Sequence, residues 1–525
     1  MLSATLSLVR QEKGPGSSDR RFAVLVSCLF FTITAVAIWH HAMWRDEFQP
    51  WLIARDSASL VDVLEKSRHE GHPAVWYVLL FFLTRLTQSP TVMQATHLLI
   101  ACLVVYVFAR CSPFNPLQKF LFAFGYFPFY EYAVLSRNYG IGVLFLFLAC
   151  AQWPSRHTHP LRLATMLALA SNTSVHALII ALAMELGLIL EILLRRKIIF
   201  SLPAVRAWRV YCGFAVMAAG VLLALHQMVP PRDSSIVTLS VERVPVGTIL
   251  NSFIAAFFPI PGHEAHFWGT NILDEYWRFA RMKIYCSCAL VASLIATFMR
   301  RPLALTTFAA GAAGLLGFFY ITSIGDLRHH GFLFILFMVA AWLYRSSEDD
   351  EGTPALVRAG FPGGIAPTAL VTPVLIFQLS GGISAFQMAL KNVFSNGQRA
   401  SVYIKEHGLA RLPIAGDVDY AMASIVGYLN KDKVYFPRAN RFGSYVIWDK
   451  SRLHQMSQEE LLRRTTAFAK AAGQDILLIV NYPLPKDLAA SRSISHIASF
   501  TGATMGDEDF HLYLFPVEPH RAEKH

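Results

Sequence analysis

Residues 73–87 read Pro73-Ala74-Val75-Trp76-Tyr77-Val78-Leu79-Leu80-Phe81-Phe82-Leu83-Thr84-Arg85-Leu86-Thr87. Whether this stretch crosses a membrane decides on which side every later part of the chain lies. Pro73 suits the first turn of a helix, and Ala74 to Leu83 is apolar. A span needs about 20 mostly apolar residues, so the run is short, and Arg85 interrupts it. Eleven other segments read as spans: 22–42, 92–110, 118–135, 139–153, 161–174, 176–194, 209–228, 282–299, 303–322, 330–345 and 366–388. The segments 139–153 and 161–174 are short enough to require shielding inside a bundle. If 73–87 stays on one side and Arg20-Arg21 is cytoplasmic, then Arg110/Lys119, Arg156/Arg162, Arg195-Arg196-Lys197, Arg300-Arg301 and Arg345/Arg358 all fall inside, as the positive-inside rule requires. If 73–87 crosses, all of them flip outside. The expectation is therefore a surface helix in the outer leaflet, a cytoplasmic N-terminus and an extracytoplasmic C-terminal domain.

Composition supports a chain whose solvent is largely lipid. Of 525 residues, 54% are hydrophobic and 15% charged, where soluble domains carry about 25% charged residues. The net charge of +11 sits in short clusters at span ends. No extended basic, aromatic-interleaved surface exists for nucleic acid, and none is expected as a partner. The seven cysteines lie in or beside apolar runs and suggest no disulfide framework. The first apolar run lacks a small-residue cleavage site and reads as a retained span. The organisation expected is a cytoplasmic tail at 1–21, a transmembrane domain at 22–390 with outside loops at 43–91 and 229–281, and an extracytoplasmic α/β domain at 391–525.

That last domain is read from alternating segments: 400–407, 412–415, 420–429, 433–436, 445–448, 458–472, 476–480 and 511–515. It carries no Gly-rich phosphate loop. In the first outside loop, Phe48, Trp51 and Leu52 share one helical face and Leu60, Val61 and Leu64 another, a pattern of helices lying in the interfacial plane.

The polar groups that need explaining gather at the outer face. Trp44-Arg45-Asp46-Glu47 sets two carboxylates beside the end of the first span. Acids favour a first helical turn; facing a cavity, their partial burial would raise a carboxyl pKa toward general-base work. His69-Glu70-Gly71-His72 offers metal-ligating types at a spacing matching no recognised metal signature, or a polar cap before Pro73. Ser136-Arg137-Asn138 puts an arginine between two spans, with Glu131 a turn or so earlier as a structural partner. Asp326-Leu327-Arg328-His329-His330 is a basic cluster on the outer face, suited to phosphate oxygens or to interfacial anchoring. Gly262-His263-Glu264-Ala265-His266 reads as a helix cap more readily than a metal site, and His176 as a satisfied helix-end histidine.

In order, these features resemble the GT-C superfamily of membrane glycosyltransferases, to which protein O-mannosyltransferases and lipid A aminoarabinose transferases belong. Asp46-Glu47 follows the first span. His72-Pro73-Ala74-Val75-Trp76-Tyr77 resembles the family's basic-Pro-Pro aromatic surface helix, and Tyr132 to Tyr139 its second outside loop. The likeness covers about residues 22–200. It implies a GT-C-like bundle of about 11 spans and a sugar donor carried on polyprenyl phosphate. An acceptor hydroxyl on a glycan, lipid or protein would attack with inversion, in a membrane-lipid setting. It implies Asp46 as general base with Glu47 its neighbour, and Arg328, with His329 or His330, and Arg137 as holders of the donor phosphate. Two departures stand out: the second outside loop has no acid at Ser136-Arg137-Asn138, and the second motif proline is Ala74. Glu70, His72 and Glu131 remain as substrate groups or ligands of a divalent metal ion. A flippase for a lipid-linked sugar is the rival reading, expected to show ionisable residues along a path and paired halves. An O-antigen-type polymerase or ligase is another, leaning on basic loops without an acid pair.

Overall fold

A computed structural model describes residues 17–194, 204–235, 245–322, 325–346 and 367–517. The tail before Ser17, the Arg195-Arg196-Lys197 cluster and the connector 347–366 lie outside the described residues. The chain is a helical membrane protein followed by a small α/β domain. Among the described residues seven helices are long and apolar enough to cross a membrane: α1 (Ser17–His40), α5 (Thr91–Cys111), α9 (Val175–Leu194), α10 (Ala204–Met228), α13 (Pro302–Ile321), α14 (Leu327–Ser346) and α15 (Pro367–Lys391). Leu25, Trp39, Leu103, Trp208 and Leu222 are exposed on these helices. An exposed apolar surface of that extent belongs against lipid. By contrast the apolar stretch of α14 is 83% buried, which makes it the bundle's inner helix. Gly331 near its outer end lets it approach residues 126–132 closely; a Cβ there would run into the Phe127 ring and the Tyr132 hydroxyl.

Three other expected spans are shorter helices: α7 (Tyr139–Gln152), α8 (Pro160–Ser171) and the apolar stretch 282–298 of α12 (Trp277–Phe298). The segment 118–135 is not one helix. It is α6 (Pro116–Ala123), a break at Gly125, then a π-helical turn over Tyr126–Glu131. Apolarity alone did not reveal the break. Such turns are rare and recur at functional sites; here it ends at Glu131 and Tyr132, beside Trp268 and Arg328. The long loop 229–281 holds an apolar helix, α11 (Val246–Phe257), whose Ile249, Phe253 and Phe257 are buried. Of the arginines expected inside, Arg156 is bidentate to Glu191, at 2.8 and 2.6 Å, so part of the charge used to orient the chain is neutralised.

The loop expected outside, 43–91, forms α2 (Arg45–Arg55), α3 (Leu60–Ser67) and α4 (Val75–Leu86). With 12 residues, α4 is about 18 Å long at ~1.5 Å per residue, well short of a hydrocarbon core of about 30 Å. Arg85 caps α2, its guanidinium donating to the carbonyls of Ala54 (3.3 Å), Arg55 (3.4 Å) and Ser57. Helix α2 departs from the interfacial reading. Glu47 to Ala54 are all buried, because a second body covers the face meant for lipid. The large apolar side chains among them, Phe48, Leu52 and Ile53, are each worth ~2 kcal/mol when so enclosed. On α3 the buried residues are Val63 and Ser67, with Leu60 and Val61 exposed.

The covering body is the C-terminal domain: α16 (Gly397–Glu406), β1 (Ile414–Gly416), α17 (Met422–Leu429), β2 (Val434–Phe436), β3 (Arg441–Gly443), α18 (Gln458–Ala472), β4 (Ile476–Val480), α19 (Lys486–Ser491), β5 (Ser495–Phe500) and β6 (Phe510–Phe515). The sheet order is β3-β2-β1-β4-β6-β5, with β1 parallel to both β2 and β4 and the remaining pairs antiparallel. Residues 445–448, expected as a regular segment, are irregular, and the strand falls just before them at β3. Strand β5 was missed because its sequence, Ser-His-Ile-Ala-Ser-Phe, lacks a strong apolar run. Gly427 on α17 admits the Phe48 ring of α2, where any Cβ would clash, and Tyr428 stacks edge-on to Phe48 at 4.8 Å.

Candidate active site

Successive residues on a helix point about 100° apart, and this splits the acidic pair in the first turn of α2. Glu47 turns inward and is fully buried. Its Oε1 accepts the Ser136 N–H at 2.7 Å; its Oε2 accepts the Trp44 N–H at 3.2 Å and lies 2.7 Å from His41 Nε2. Asp46 turns the other way, into a cavity of about 450 Å³. There it pairs with Arg137, with Arg328 at 3.6 Å and with Arg45 at 3.6 Å. Glu47 therefore lies outside the cavity that Asp46 lines.

The bundle side of the cavity is charged: Arg45, Asp46, Glu70, His72, Arg137 and Arg328 line it, with His329 alongside. Gln49, Trp76, Tyr77 and Tyr139 fill between them. The other side is Tyr420, Val446 and Trp448 of the C-terminal domain. Gln49 joins the two: its Nε2 donates to Glu70 Oε1 (2.9 Å) and Val446 O (2.7 Å), and its Oε1 accepts the Val446 N–H (3.2 Å). Arg45 is the second link. Its N–H donates to Glu508 Oε1 at 2.6 Å and its guanidinium pairs with Asp507. Cations and rings alternate across the seam. Arg328 lies 5.1 Å from the Trp268 ring and 5.7 Å from Trp44; Arg45 lies 5.0 Å from Trp44 and 5.0 Å from Tyr420; Arg452 lies 5.8 Å from Tyr420 and 4.9 Å from Trp448. Contacts of this kind are worth about 0.5–2 kcal/mol each.

The two cavity carboxylates have opposite electrostatics. Burial pushes the Asp46 carboxyl up, but Arg137, Arg328 and Arg45 together outweigh it and hold the group at about 2. This reverses the expected rise, because the arginines and not the burial dominate. Burial pushes the Glu70 carboxyl up to about 7, against the Gln49 hydrogen bond, with Asp46 adding to the rise. Glu70 has no cation within ion-pair distance among the described residues. Burial, then Arg137, lowers His72 to about 4, so it is neutral near pH 7. Arg328 Nη1 is buried without a hydrogen-bond partner, and Arg328 is the second residue of α14, whose N-terminal end presents the positive pole of its dipole.

The other expected residues are placed as follows. Glu131 does not meet Arg137. Its Oε2 accepts from Tyr126 Oη and Trp268 Nε1, both at 3.1 Å, so it sits behind the ring that faces Arg328. His329 Nε2 lies 3.0 Å from Tyr139 Oη, on the cavity wall. His330, one step further round α14, packs on Phe319 and does not line the cavity. His176 stacks on His329 at 4.9 Å and 11°, and neither of its ring nitrogens has a hydrogen-bond partner, unlike the satisfied histidine expected. His266 Nδ1 donates to Thr504 O at 2.9 Å, tying its loop to the C-terminal domain. Among the described residues no three His, Cys, Asp or Glu side chains converge as metal ligands. The cavity acids are interleaved with arginines, a donor set that does not fit a divalent cation.

Sequence reading missed Gln49, His97, Tyr420 and Trp448. His97 bridges Ala133 O (3.1 Å) and Arg137 O (3.0 Å) from within α5; a histidine inside an apolar run is the signal that marks it. Tyr420 and Trp448 carry no sequence signal, since only the fold brings them to the cavity.

Charged cavity, membrane bundle and α/β cover together define a membrane protein with a built polar site at one end. No family model matches the chain, and no curated protein matches it. Among solved structures, ArnT from Cupriavidus metallidurans bound to undecaprenyl phosphate is similar at 13% identity and a TM-score of 0.49, covering 94% of this chain and 97% of that one. The same protein in the apo state is similar at 12% identity and a TM-score of 0.48, covering 95% and 99%. Similarity at that level assigns neither residues nor chemistry.

Proposed function

We propose that the protein is a GT-C-like glycosyltransferase that moves a sugar from a polyprenyl-phosphate donor to an acceptor hydroxyl, with inversion, at the outer face of the membrane. The N-terminus is cytoplasmic and the C-terminal domain extracytoplasmic in this reading. The observation that carries it is the meeting of two carboxylates and three arginines in one cavity beside the membrane bundle. Arg137 and Arg328 take the donor phosphate, with His329 beside them. The acceptor oxygen attacks the anomeric carbon and the carbon–oxygen bond to phosphate breaks. Its electron pair stays on the phosphate oxygen, where cations hold the new charge, and the acceptor proton passes to a carboxylate.

Asp46 is the proton acceptor that the family resemblance implies. Arg328 and Arg45 each lie 3.6 Å from Asp46; Arg45 is held by the C-terminal domain, so a donor phosphate that draws Arg328 away raises Asp46's basicity. A second reading gives the proton to Glu70. It is favoured by Glu70's ionisation near pH 7 and lack of a cation partner, since carboxylates whose environments drive their pKa values apart divide acid–base and electrostatic roles. Purified protein in nanodiscs, given polyprenyl-phosphate sugars, tests the function: Asp46→Asn is expected to lose transfer at least ~100-fold. Full transfer by a folded Asp46→Asn protein defeats the Asp46 role, and absence of transfer or donor hydrolysis by wild type with every polyprenyl-phosphate sugar defeats the function.

A further inference from the structure

The two sides of the cavity differ in kind. Every ionisable acid, arginine or histidine that lines it comes from the membrane half. The C-terminal domain contributes only Tyr420, Val446 and Trp448. Arg452 stands behind the two rings, but its charge is committed: it is bidentate to buried Asp419, at 2.7 and 2.7 Å. That ion pair holds the Tyr420 and Trp448 rings 22° apart with centroids at 6.0 Å. The wall is thus aromatic, neutral and set in place before any ligand arrives, which limits the ordering cost of binding.

Topology points the same way. Strands β1 and β4 are parallel neighbours, and the chain leaves β1 toward β2 on one side but leaves β4 toward β5 and β6 on the other, so the connections part at their carboxyl ends. In α/β sheets this switch point is where ligands bind. Tyr420 lies on the segment that leaves β1, and it is this edge that faces the cavity.

We propose that Tyr420 and Trp448 form the acceptor subsite, and that it takes a neutral saccharide. The inference rests on the glycosyltransferase reading above and names its acceptor class. The negative face of an aromatic ring packs against the weakly positive C–H face of a pyranose, while the sugar hydroxyls turn toward Asp46 and Glu70. A phosphorylated acceptor would instead compete with the donor for the same arginines.

The test uses full-length protein in nanodiscs and saturation-transfer NMR. The probes are neutral disaccharides of gluco, galacto and manno configuration and their glycosyl phosphates. At least one neutral disaccharide is expected to bind wild type, to bind Trp448→Ala at least tenfold more weakly, and to regain binding in Trp448→Phe. Binding unchanged in Trp448→Ala, binding by glycosyl phosphates alone, or no saccharide binding overturns the subsite. Polyprenyl phosphate binding is measured on the same wild-type sample. If it binds while saccharides do not, the acceptor inference fails and the donor reading stands. If saccharides bind while it does not, the donor reading fails and the acceptor role with it.

Discussion

Glu47 Oε1 accepts the Ser136 N–H at 2.7 Å, and the residues beside these two, Asp46 and Arg137, form the ion pair in the cavity. One buried hydrogen bond thereby sets the register in which two loops far apart in sequence present opposite charges. Removing it leaves buried groups unpaired at Ser136, Trp44 and His41. Glu47→Ala is expected to destabilise the fold by about 3 kcal/mol, read as a lower melting temperature in detergent. Asp46→Asn, at a residue that faces the cavity, is expected to melt within a few degrees of wild type, and equal melting of Glu47→Ala and wild type would remove this positioning role.

Arg328 reaches the cavity with a buried Nη1 that lacks a partner. A phosphate supplies one. Arg328→Ala is expected to weaken polyprenyl phosphate binding roughly 10- to 100-fold, the equivalent of about 1.4–2.7 kcal/mol. Arg328→Lys restores charge but not the planar fork and is expected to fall between. Unchanged affinity in the alanine variant would retire the phosphate role.

The two carboxylates make different pH profiles. Glu70 is raised to about 7, so it is protonated below that pH and cannot accept a proton there. If it is the base, the transfer rate climbs about tenfold per pH unit up to pH ~7 and then levels. Asp46 is held at about 2 and stays ionised across the working range. A rate flat from pH 5 to 8 would assign the proton to Asp46, and an inflection that disappears in Glu70→Gln would assign it to Glu70.

With a cytoplasmic N-terminus, a non-crossing α4 puts the C-terminal domain outside in the proposed topology. A reporter fused after Phe394 is expected to be active only outside the cytoplasm. Cytoplasmic activity would invert the topology, and with it the side on which the cavity opens.

Much of the site was legible where one residue carries its own energetic oddity. Asp46, Arg137 and Arg328 are ionisable groups set beside apolar runs, and such groups ask for partners. The splitting of Asp46 from Glu47 was legible only in part. Helix phase puts adjacent residues on different faces, but which face meets the cavity depends on Ser136. The pKa of Asp46 was misjudged because burial can be inferred from a loop's amphipathicity, while three arginines converging from α2, the loop at 136–138 and α14 cannot. The burial of α2 was misread for a similar reason: Phe48, Trp51 and Leu52 form an apolar face equally fit for lipid or for Gly427 and Tyr428. The break at Gly125 left no trace in hydropathy, and Tyr420 and Trp448 needed the sheet order of the C-terminal domain.

Helix α2 is wedged between two bodies, with Phe48 seated in the notch at Gly427 and Gln49 held by Val446. The portion that supplies this second grip is synthesised after the membrane helices. A nascent chain can therefore insert those helices and form the loop 43–91 long before that loop acquires its working shape. Competence arrives only when the α/β domain has folded and docked. An incomplete chain left in the bilayer would carry every charged residue of the cavity and still lack the clamp that orders them.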